Sequence, residues 1–312
     1  MNRITLLFLT GILILPIITF SQSNRWKRNR YEAVAGIGVT SFMGDLGGGA
    51  EASHFISDFN FTAQRPLLNV GFRYKVLEPV NIKASLSYGW VSADDAKADD
   101  KYRKDRNLSF RSPIIEFGLL AEYSIIKEPV SHRYSLRKGR KFTLKSLAIN
   151  TYLFTGIAGF WFNPKGLDDG MGGTGEWLAL QPLGTEGQGL MEGREKYSRI
   201  QLAIPFGIGI KYPITRDISL GLEFGARYTF TDYIDDVSTT FIDNDWLKSV
   251  DPIAARMADK SIQTNDDTDP NPNVTYSAGE QRGESKYNDF YMFSMVTVAY
   301  KLRTGRNGLP KF

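Results

Sequence analysis

The sequence of 312 residues contains no cysteine and only two histidines. Without cysteine the chain forms no disulfide, no thiolate metal site and no lipid anchor on an N-terminal cysteine. After the N-terminus, no run of about 18 apolar residues occurs, so no transmembrane helix is predicted in the mature chain. With only two histidines, the chain has few candidates for the general base that a serine nucleophile requires. These absences exclude lipoproteins, disulfide-stapled domains and helical membrane proteins.

Residues 1–21 predict a signal peptide. Arg3 precedes an apolar run from Ile4 to Phe20, and small residues surround Ser21. The alternative is a retained membrane anchor, but Pro16 breaks the run and a polar segment follows it from Gln22. We therefore expect cleavage near Ser21 and an exported mature protein.

Aromatic residues, at 13%, and glycine, with 30 residues, are abundant instead. Between Ile218 and Phe230 every second residue is apolar, and the intervening residues are small, polar or charged. Such alternation places successive side chains on opposite faces of a β-strand. The segment is longer than an ordinary strand of about five or six residues and matches a tilted transmembrane strand of roughly 9–11. It therefore predicts a wall strand of a membrane barrel.

Similar segments occur along the mature chain, at about 31–40, 68–76, 80–90, 115–125, 147–162, 200–212, 218–230 and 289–302. The segment 147–162 is apolar on both faces, so its inward face is not assigned. Pro205 lacks an amide donor and falls on an inward face, which predicts a bulge or a local break in the sheet. The connections alternate between long and short, as in bacterial barrels with short periplasmic turns and long outer loops.

We therefore predict an all-β fold, an eight-stranded antiparallel up-and-down transmembrane β-barrel of the OmpA/OmpX type with long extracellular loops. The predicted organisation is a signal peptide over 1–21, a barrel over 22–302 and a periplasmic tail over 303–312. The long outer loops are placed at about 43–66, 92–107, 163–199 and 232–287.

Eight strands enclose a lumen that side chains just fill, so a water-filled porin is not expected. Alternation nevertheless places charged residues inside, and they suggest either an ion path or a polar plug of paired charges. We favour the plug because an unpaired charge in so narrow a space is costly. The predicted plug residues are Glu32, Arg73, Glu116, Glu122, Glu223 and Arg227, with Lys83 beside them.

Two alternative chemistries find weak support. A lipid A-modifying enzyme would need a histidine beside a serine; His54 lies near Ser53 and Ser57, whereas His132 lies in a predicted periplasmic connection. The acidic stretch 265–273 offers oxygen ligands for calcium, but their order differs from an EF-hand loop and a solvated acidic loop explains it better. We therefore predict no catalytic, cofactor-binding or metal-binding residue.

Basic residues concentrate in the connection from Lys127 to Lys145, which is predicted to face the periplasm. Such a basic collar would attract an acidic protein surface or anionic lipid head groups, although solubilising charge is the simpler explanation. We predict that it binds a periplasmic partner. The residues predicted to do so are Arg133, Arg137, Lys138, Arg140 and Lys141.

Several motifs resemble those of the PorG-like outer-membrane proteins of Bacteroidetes, a DUF6089-like family. They are TEGQG (Thr185–Gly189), YSRIQLAIPFGIGIKY (Tyr197–Tyr212) and EFGARYTFTDYIDDVS (Glu223–Ser238). The segments YEAVAGIGVTSFMGDLGG (Tyr31–Gly48) and FWFNPKG (Phe160–Gly166) fit the same pattern. The resemblance therefore covers nearly the whole mature chain.

The resemblance implies a non-enzymatic component of the type IX secretion system, integral to the outer membrane and without a cofactor. Its implied partners are outer-membrane lipid, the periplasmic ring lipoprotein PorK (GldK) and the ring protein PorN (GldN). No nucleic acid or small-molecule substrate is implied. The resemblance implies a system that exports proteins and, in gliding species, adhesins. An adhesin or a membrane-stabilising barrel without a secretion role remains an alternative.

Overall fold

The alternating segments form long strands in a computed structural model of the protein, which describes residues 29–47, 63–98, 100–126, 149–169, 172–261 and 276–304. In chain order the strands are β1 (Tyr31–Met43), β2 (Arg65–Lys75), β3 (Val80–Asp94), β4 (Ser109–Ile126), β5 (Asn150–Phe162), β6 (Lys165–Leu167), β7 (Trp177–Ala179), β8 (Ile200–Pro213), β9 (Ile218–Thr229) and β10 (Phe290–Leu302).

Eight of these strands close into a barrel. Their order in the sheet is β3-β2-β1-β10-β9-β8-β5-β4, and β3 also pairs with β4, which closes the ring. Every pairing is antiparallel. Closure gives each wall strand a partner on both sides, which a lipid environment requires because it offers no water to the backbone. The predicted eight-stranded antiparallel barrel is confirmed.

The two faces of the wall differ as the alternation predicted. Along β9 the burial alternates almost perfectly, with Leu222 and Phe224 exposed and Glu223 buried between them. Most exposed positions of the other wall strands are likewise apolar, which gives the barrel an outward belt suited to lipid; Arg65, Arg111 and Thr155 are exceptions. Separately, no helix within the described ranges is long and apolar enough to cross a bilayer.

Strand β5, whose phase the sequence left open, turns aromatic rings into the lumen. Tyr152, Phe154 and Phe160 are buried, whereas Leu153 and Ile157 are exposed on the outer wall. Two glycines explain how the rings fit. A Cβ atom added at Gly207 or Gly225 would lie 2.6 Å from the Phe154 ring. The space for an inward ring is therefore provided by neighbouring strands, which the β5 sequence does not reveal.

Pro205 lies in β8 and pairs with Arg227 of β9. On its other side, the β5–β8 pairing runs to Thr155–Phe206 and resumes at Ala158–Ala203 in the same register. The predicted local break is therefore present, without a bulge, because the missing proline donor interrupts pairing on one side only.

The barrel has two unlike ends. At the short-turn end, residues 76–79 and 214–217 join consecutive strands, and β4 is followed by residues 127–149. At the opposite end, four longer connections form what we call the loop cap. The cap contains β6, β7, a 3₁₀ helix (Asp95–Lys97) and four helices, α1 (Lys101–Arg106), α2 (Leu180–Leu183), α3 (Asn244–Val250) and α4 (Pro252–Ala258).

The loop cap contains helices that the sequence did not predict. The long outer loop predicted at about 232–287 supplies α3 and α4. Ile242, Leu247, Ala254, Ala255 and Ala258 there form a second apolar cluster against Leu183 of α2. Aspartates start both helices: Asp243 accepts from Trp246 N, and Asp251 accepts from Ile253 N. Burial of small apolar residues and these caps explain the helices.

Some predicted features lie outside the described residues. These are the signal peptide (1–21), His54 and its neighbouring serines, His132, the basic collar residues Arg133, Arg137, Lys138, Arg140 and Lys141, the acidic stretch 265–273 and the tail beyond residue 304.

Candidate functional site

The half of the lumen nearer the short turns holds a group of ionised side chains that we call the lumen cluster. Arg73 Nη1 donates to Glu32 Oε2 at 2.8 Å, and Nη2 donates to Glu223 Oε1 at 3.3 Å. The Nε of Arg73 lies 2.6 Å from Glu122 Oε2. Lys83 Nζ donates to the second oxygen of Glu223 at 2.6 Å. One arginine thus meets three carboxylates that come from three different strands.

Two further side chains complete the cluster. Lys211 Nζ lies 3.0 and 3.1 Å from the two carboxylate oxygens of Glu32. The Tyr152 hydroxyl donates to Glu223 Oε1 at 2.7 Å. The cluster therefore contains three carboxylates and three cations, all buried. Buried charges are tolerated when they are paired, and each charge of this cluster lies within 3.0 Å of an opposite charge.

A separate ion pair lies closer to the loop cap. Arg227 Nε donates to Glu116 Oε2 at 3.0 Å, and Nη2 donates to Oε1 at 3.2 Å. The Tyr291 hydroxyl donates to the same carboxylate at 2.8 Å. The guanidinium carbon of Arg227 also lies 3.8 Å from the ring centre of Phe293. This bidentate pair is held by a hydroxyl on one side and an aromatic face on the other.

Above this pair, apolar side chains fill the lumen. Phe42 and Phe110 meet edge to face with ring centres 4.8 Å apart, and Phe160 meets Tyr291 at 5.4 Å. All belong to one buried apolar cluster that continues into the loop cap. The described interior is therefore packed with paired charges below and aromatic rings above, as expected for eight strands.

Two of the motifs quoted above interlock in the loop cap. The Glu186 carboxylate accepts hydrogen bonds from the backbone N–H groups of Ser238 and Thr239, and from the Thr239 hydroxyl at 2.7 Å. Arg282 Nη1 donates to the same carboxylate at 2.9 Å. A single buried glutamate thus joins the connection after β7 to the segment after β9.

Asp236 forms the second joint of the cap. Its Oδ2 accepts from the Thr185 hydroxyl at 2.5 Å, and its Oδ1 accepts from the Tyr197 hydroxyl at 2.6 Å. Its backbone has φ 67°, in the left-handed region that aspartate tolerates better than most residues. Burial and the Asp236 carboxylate raise the pKa of Tyr197 well above its usual range. Tyr197 therefore stays protonated and able to donate.

Two arginine–aspartate pairs hold the cap's outer parts. Arg106 Nε donates to Asp95 Oδ2 at 2.8 Å, and its Nη2 donates to Oδ1 at 3.1 Å. Arg256 Nη2 donates to Asp168 Oδ2 at 3.0 Å and so joins α4 to the segment after β6. The hydrogen bond from Arg256 lowers the pKa of Asp168 to about 2.

The six predicted plug residues all point into the lumen, where the structure places four in the lumen cluster and two in the separate ion pair. Sequence reasoning missed Lys211, although it alternates correctly with the outward Ile210 and Tyr212. It also missed the hydroxyl donors Tyr152 and Tyr291, because a tyrosine on an alternating strand can face either the lipid or the lumen.

Comparison with known proteins gives one match by sequence and several by structure. Residues 188–251 match the family model described as "Domain of unknown function (DUF6089)". That segment contains β8, β9 and both Tyr197 and Asp236. No protein with a curated functional description matches the sequence significantly.

The similar solved structures are small outer-membrane barrels. Ail, the attachment invasion locus protein of Yersinia pestis, crystallised with the heparin analogue sucrose octasulfate, is 6% identical, with 88% of this chain and 98% of Ail covered and a TM-score of 0.35. Neisserial surface protein A is 10% identical, with coverage of 87% and 96% and a TM-score of 0.33. OprG of Pseudomonas aeruginosa is 9% identical, with coverage of 89% and 98% and a TM-score of 0.35.

At such identities and scores these likenesses carry no functional information. The closed ring of eight antiparallel strands and its apolar outer belt define the architecture directly. The chain therefore has the fold of an integral outer-membrane β-barrel, and its residues 188–251 match DUF6089.

Proposed function

We propose that this protein is a non-enzymatic outer-membrane barrel that anchors the periplasmic ring of the type IX secretion machinery. The observation that carries the proposal is the packed lumen. Within the described residues, the ion pairs around Arg73 and Arg227 and the rings above them fill the lumen, as expected for eight strands. A barrel that does not conduct acts through its lipid-facing wall and its two ends, which suits an anchor.

The link to type IX secretion rests on the motifs that resemble PorG-like proteins. The match of residues 188–251 to DUF6089 supports this link. In the structure these motifs interlock through Glu186 and Asp236. They therefore shape the loop cap, which leaves the opposite end of the barrel for a periplasmic partner.

The basic collar is the proposed contact with the ring. Its residues follow Ile126, the last residue of β4, and precede Asn150, the first of β5, and both of these lie at the short-turn end. Arg30 and Arg303, which flank the first and last strands, belong to the same end. Positive charge at this end would attract an acidic face of the PorK (GldK) or PorN (GldN) ring.

Deletion of the gene tests the role in secretion. We expect type IX cargo to accumulate in the periplasm of the deletion strain and to be exported again when the wild-type protein is restored. Normal cargo export in the deletion strain, with changed attachment of cells to surfaces, would refute the secretion role and favour an adhesin.

Charge reversal tests the collar itself. The variant Arg137→Glu, Lys138→Glu, Arg140→Glu and Lys141→Glu should lose co-purification with the ring proteins at low salt. A matched control reverses Lys101 and Lys104 of α1, which lie at the opposite end of the barrel. Ring proteins that still co-purify with the collar variant, at unchanged salt sensitivity, would refute the contact but leave the deletion result standing.

A further inference from the structure

Four aspartates, of which Asp232, Asp235 and Asp289 are buried and Asp45 is half-buried, gather where the loop cap meets the barrel mouth, and we call them the mouth carboxyls. Asp45 lies after β1, Asp232 and Asp235 lie after β9, and Asp289 immediately precedes β10. These strands are neighbours in the sheet order β1-β10-β9. The barrel therefore brings together acids that are far apart in sequence.

The mouth carboxyls fasten backbone of the cap to backbone of the barrel rim. Asp235 Oδ2 accepts from Leu46 N at 3.2 Å, which joins the segment after β9 to the segment after β1. Asp289 Oδ2 accepts from Ile234 N at 2.7 Å, which joins the start of β10 to the same segment. These contacts make the carboxyls a latch between two connections.

Asp45 adds a third fastening in the same place. Its Oδ2 accepts from Glu284 N at 2.8 Å, and its backbone carbonyl accepts from Arg106 Nη2 at 2.7 Å. The connection after β1 is thereby tied both to the segment before β10 and to α1. Together with the bond from Leu46 N to Asp235, these contacts hold the described start of the connection after β1.

Two buried arginines near the mouth carboxyls are paired with other acids. Arg106 forms its bidentate pair with Asp95, and Arg282 is paired with Glu186. Among the described residues, no ion pair is formed by any mouth carboxyl. Four ionised carboxylates at this site would repel one another, and Arg106, which attracts Asp45 and Asp235, offsets that repulsion only in part.

Two carboxylate oxygens of the latch have no hydrogen-bond partner. They are Oδ1 of Asp289, a residue that is 1% exposed, and Oδ2 of Asp232, which is 7% exposed. A Cβ atom added at Gly44 would lie only 2.2 Å from Asp289 Oδ1, so backbone closes over that oxygen. An ionised oxygen without a donor is costly there, whereas a protonated carboxyl is neutral and can itself donate.

Titratable and charged groups from several connections of the cap lie near the mouth carboxyls and change their pKa values directly or through one another. Within the described residues, the titratable and charged ones are Asp45, Asp95, Arg103, Arg106, Glu186, Tyr197, Asp232, Tyr233, Asp235, Asp236, Arg282, Glu284 and Asp289. Acids outnumber arginines in this set, so the region carries an excess of potential negative charge.

Such an excess is neutralised by a metal ion or by protons. Within the part of the chain that the structure describes, no three acidic or histidine side chains are arranged to hold a metal ion. Burial, together with Asp45 and Asp235, raises the pKa of Asp232 to about 9. Burial, together with Asp235, Asp232 and Asp45, also raises the pKa of Asp289 well above its usual range. Both considerations favour protons.

We propose that protons held by the mouth carboxyls latch the loop cap onto the barrel, so that the cap loosens when the surroundings become alkaline. A carboxyl whose pKa is raised by folding stabilises the folded cap most at low pH, where it is protonated in both states. That stabilisation disappears as the pH rises through the folded-state value. Burial raises the pKa of Asp45 to about 6, so the window runs from about 6 to the value of about 9 for Asp232.

Hydrogen exchange of the full-length mature barrel in detergent micelles tests the latch. The informative amides are those of Leu46, Ile234 and Glu284, which donate to the mouth carboxyls. After correction for intrinsic exchange, we expect at least a roughly tenfold loss of protection between about pH 5 and about pH 10. Amides of the wall strands serve as an internal control and should stay protected at both pH values.

Neutral variants make the test specific. The double variant Asp232→Asn and Asp289→Asn imitates protonated carboxyls, so its cap should stay protected at about pH 10. Asp168→Asn is the matched control, since this acid is paired with Arg256 outside the latch and should leave the transition unchanged. If the double variant fails to fold into a heat-modifiable barrel, the pH titration of the wild-type protein still decides.

Two results would overturn the proposal. The first is equal protection of the three amides in the wild-type protein at both pH values. The second is protection at about pH 5 that EDTA removes and calcium chloride restores, because a cation rather than protons would then hold the cap.

Discussion

The lumen cluster and the mouth carboxyls solve the same problem, buried negative charge, in opposite ways. In the lumen, Glu32, Glu122 and Glu223 face three cations, with Arg73 at the centre. At the mouth, four aspartates have no paired cation in the described structure. Ion pairing stabilises the carboxylates of the lumen, whereas the protonation proposed above would neutralise the mouth carboxyls.

The largest effect is expected from removing Arg73, the central cation of the lumen cluster, which tests whether charge pairing stabilises the lumen. Arg73→Met leaves three buried carboxylates with two lysines, because Arg73 contacts all three. We expect a loss of about 3–5 kcal/mol in the free energy of unfolding, measured by urea unfolding of the barrel in lipid vesicles. Arg73→Lys keeps the charge and should lose less. An unfolding midpoint that Arg73→Met leaves unchanged would contradict the role of charge matching.

The ion pair Glu116–Arg227 tests whether stability depends on pairing the two charges or on the presence of each charge by itself. Arg227→Met alone leaves Glu116 buried with only the Tyr291 hydroxyl and should cost about 3 kcal/mol. The double variant Glu116→Gln and Arg227→Met removes both charges and should recover much of that loss. A double-mutant cycle on vesicle unfolding measures the coupling. Additive losses would show that the two residues act independently.

Asp236 tests the cap at a joint that does not belong to the latch. Asp236→Ala removes the acceptor for Thr185 and Tyr197 and places alanine at φ 67°. We expect the cap to lose about 2 kcal/mol, seen as faster proteolysis of the cap while the barrel stays heat-modifiable. Asp236→Asn tolerates the same backbone and should keep most of the stability. Equal proteolysis of both variants would argue against the backbone contribution.

The smallest expected effect lies at Asp168 and has the opposite pH dependence to the latch. Its pKa is lowered from 3.8 to about 2, chiefly by the hydrogen bond from Arg256. A lowered pKa gives stability that is present above the ordinary value and is lost as the pH falls through the folded-state value. Exchange near residue 168 should therefore rise modestly below about pH 4. Asp168→Asn should abolish that rise without changing the alkaline transition.

The wall of the barrel was predictable because each wall residue has one of two environments. In β9, alternation alone assigned Glu223 and Arg227 to the lumen, which is where the structure places them. In β5 both faces are apolar, so Tyr152 and Phe154 needed the glycines of β8 and β9 to determine their direction. The partners of the charges also depend on strand order and tilt, which bring Lys211 to Glu32 across the lumen.

The mouth carboxyls show the limit of sequence reasoning most clearly. In the sequence, Asp232 and Asp235 belong to the long predicted outer loop at about 232–287, and Asp45 and Asp289 are distant from them. Only the pairing of β1, β10 and β9 as adjacent strands brings these acids together. Burial and proximity are properties of the tertiary structure, and they decide whether an aspartate carries a charge.

The sequence by itself determined the strands, their faces and the inward position of the plug residues, because a period of two is a local property of the chain. The tertiary structure decided which charges meet, which rings fill the lumen and which acids remain without a cation. Those outcomes depend on contacts between residues far apart in sequence, such as Asp45 and Glu284, that no local pattern encodes.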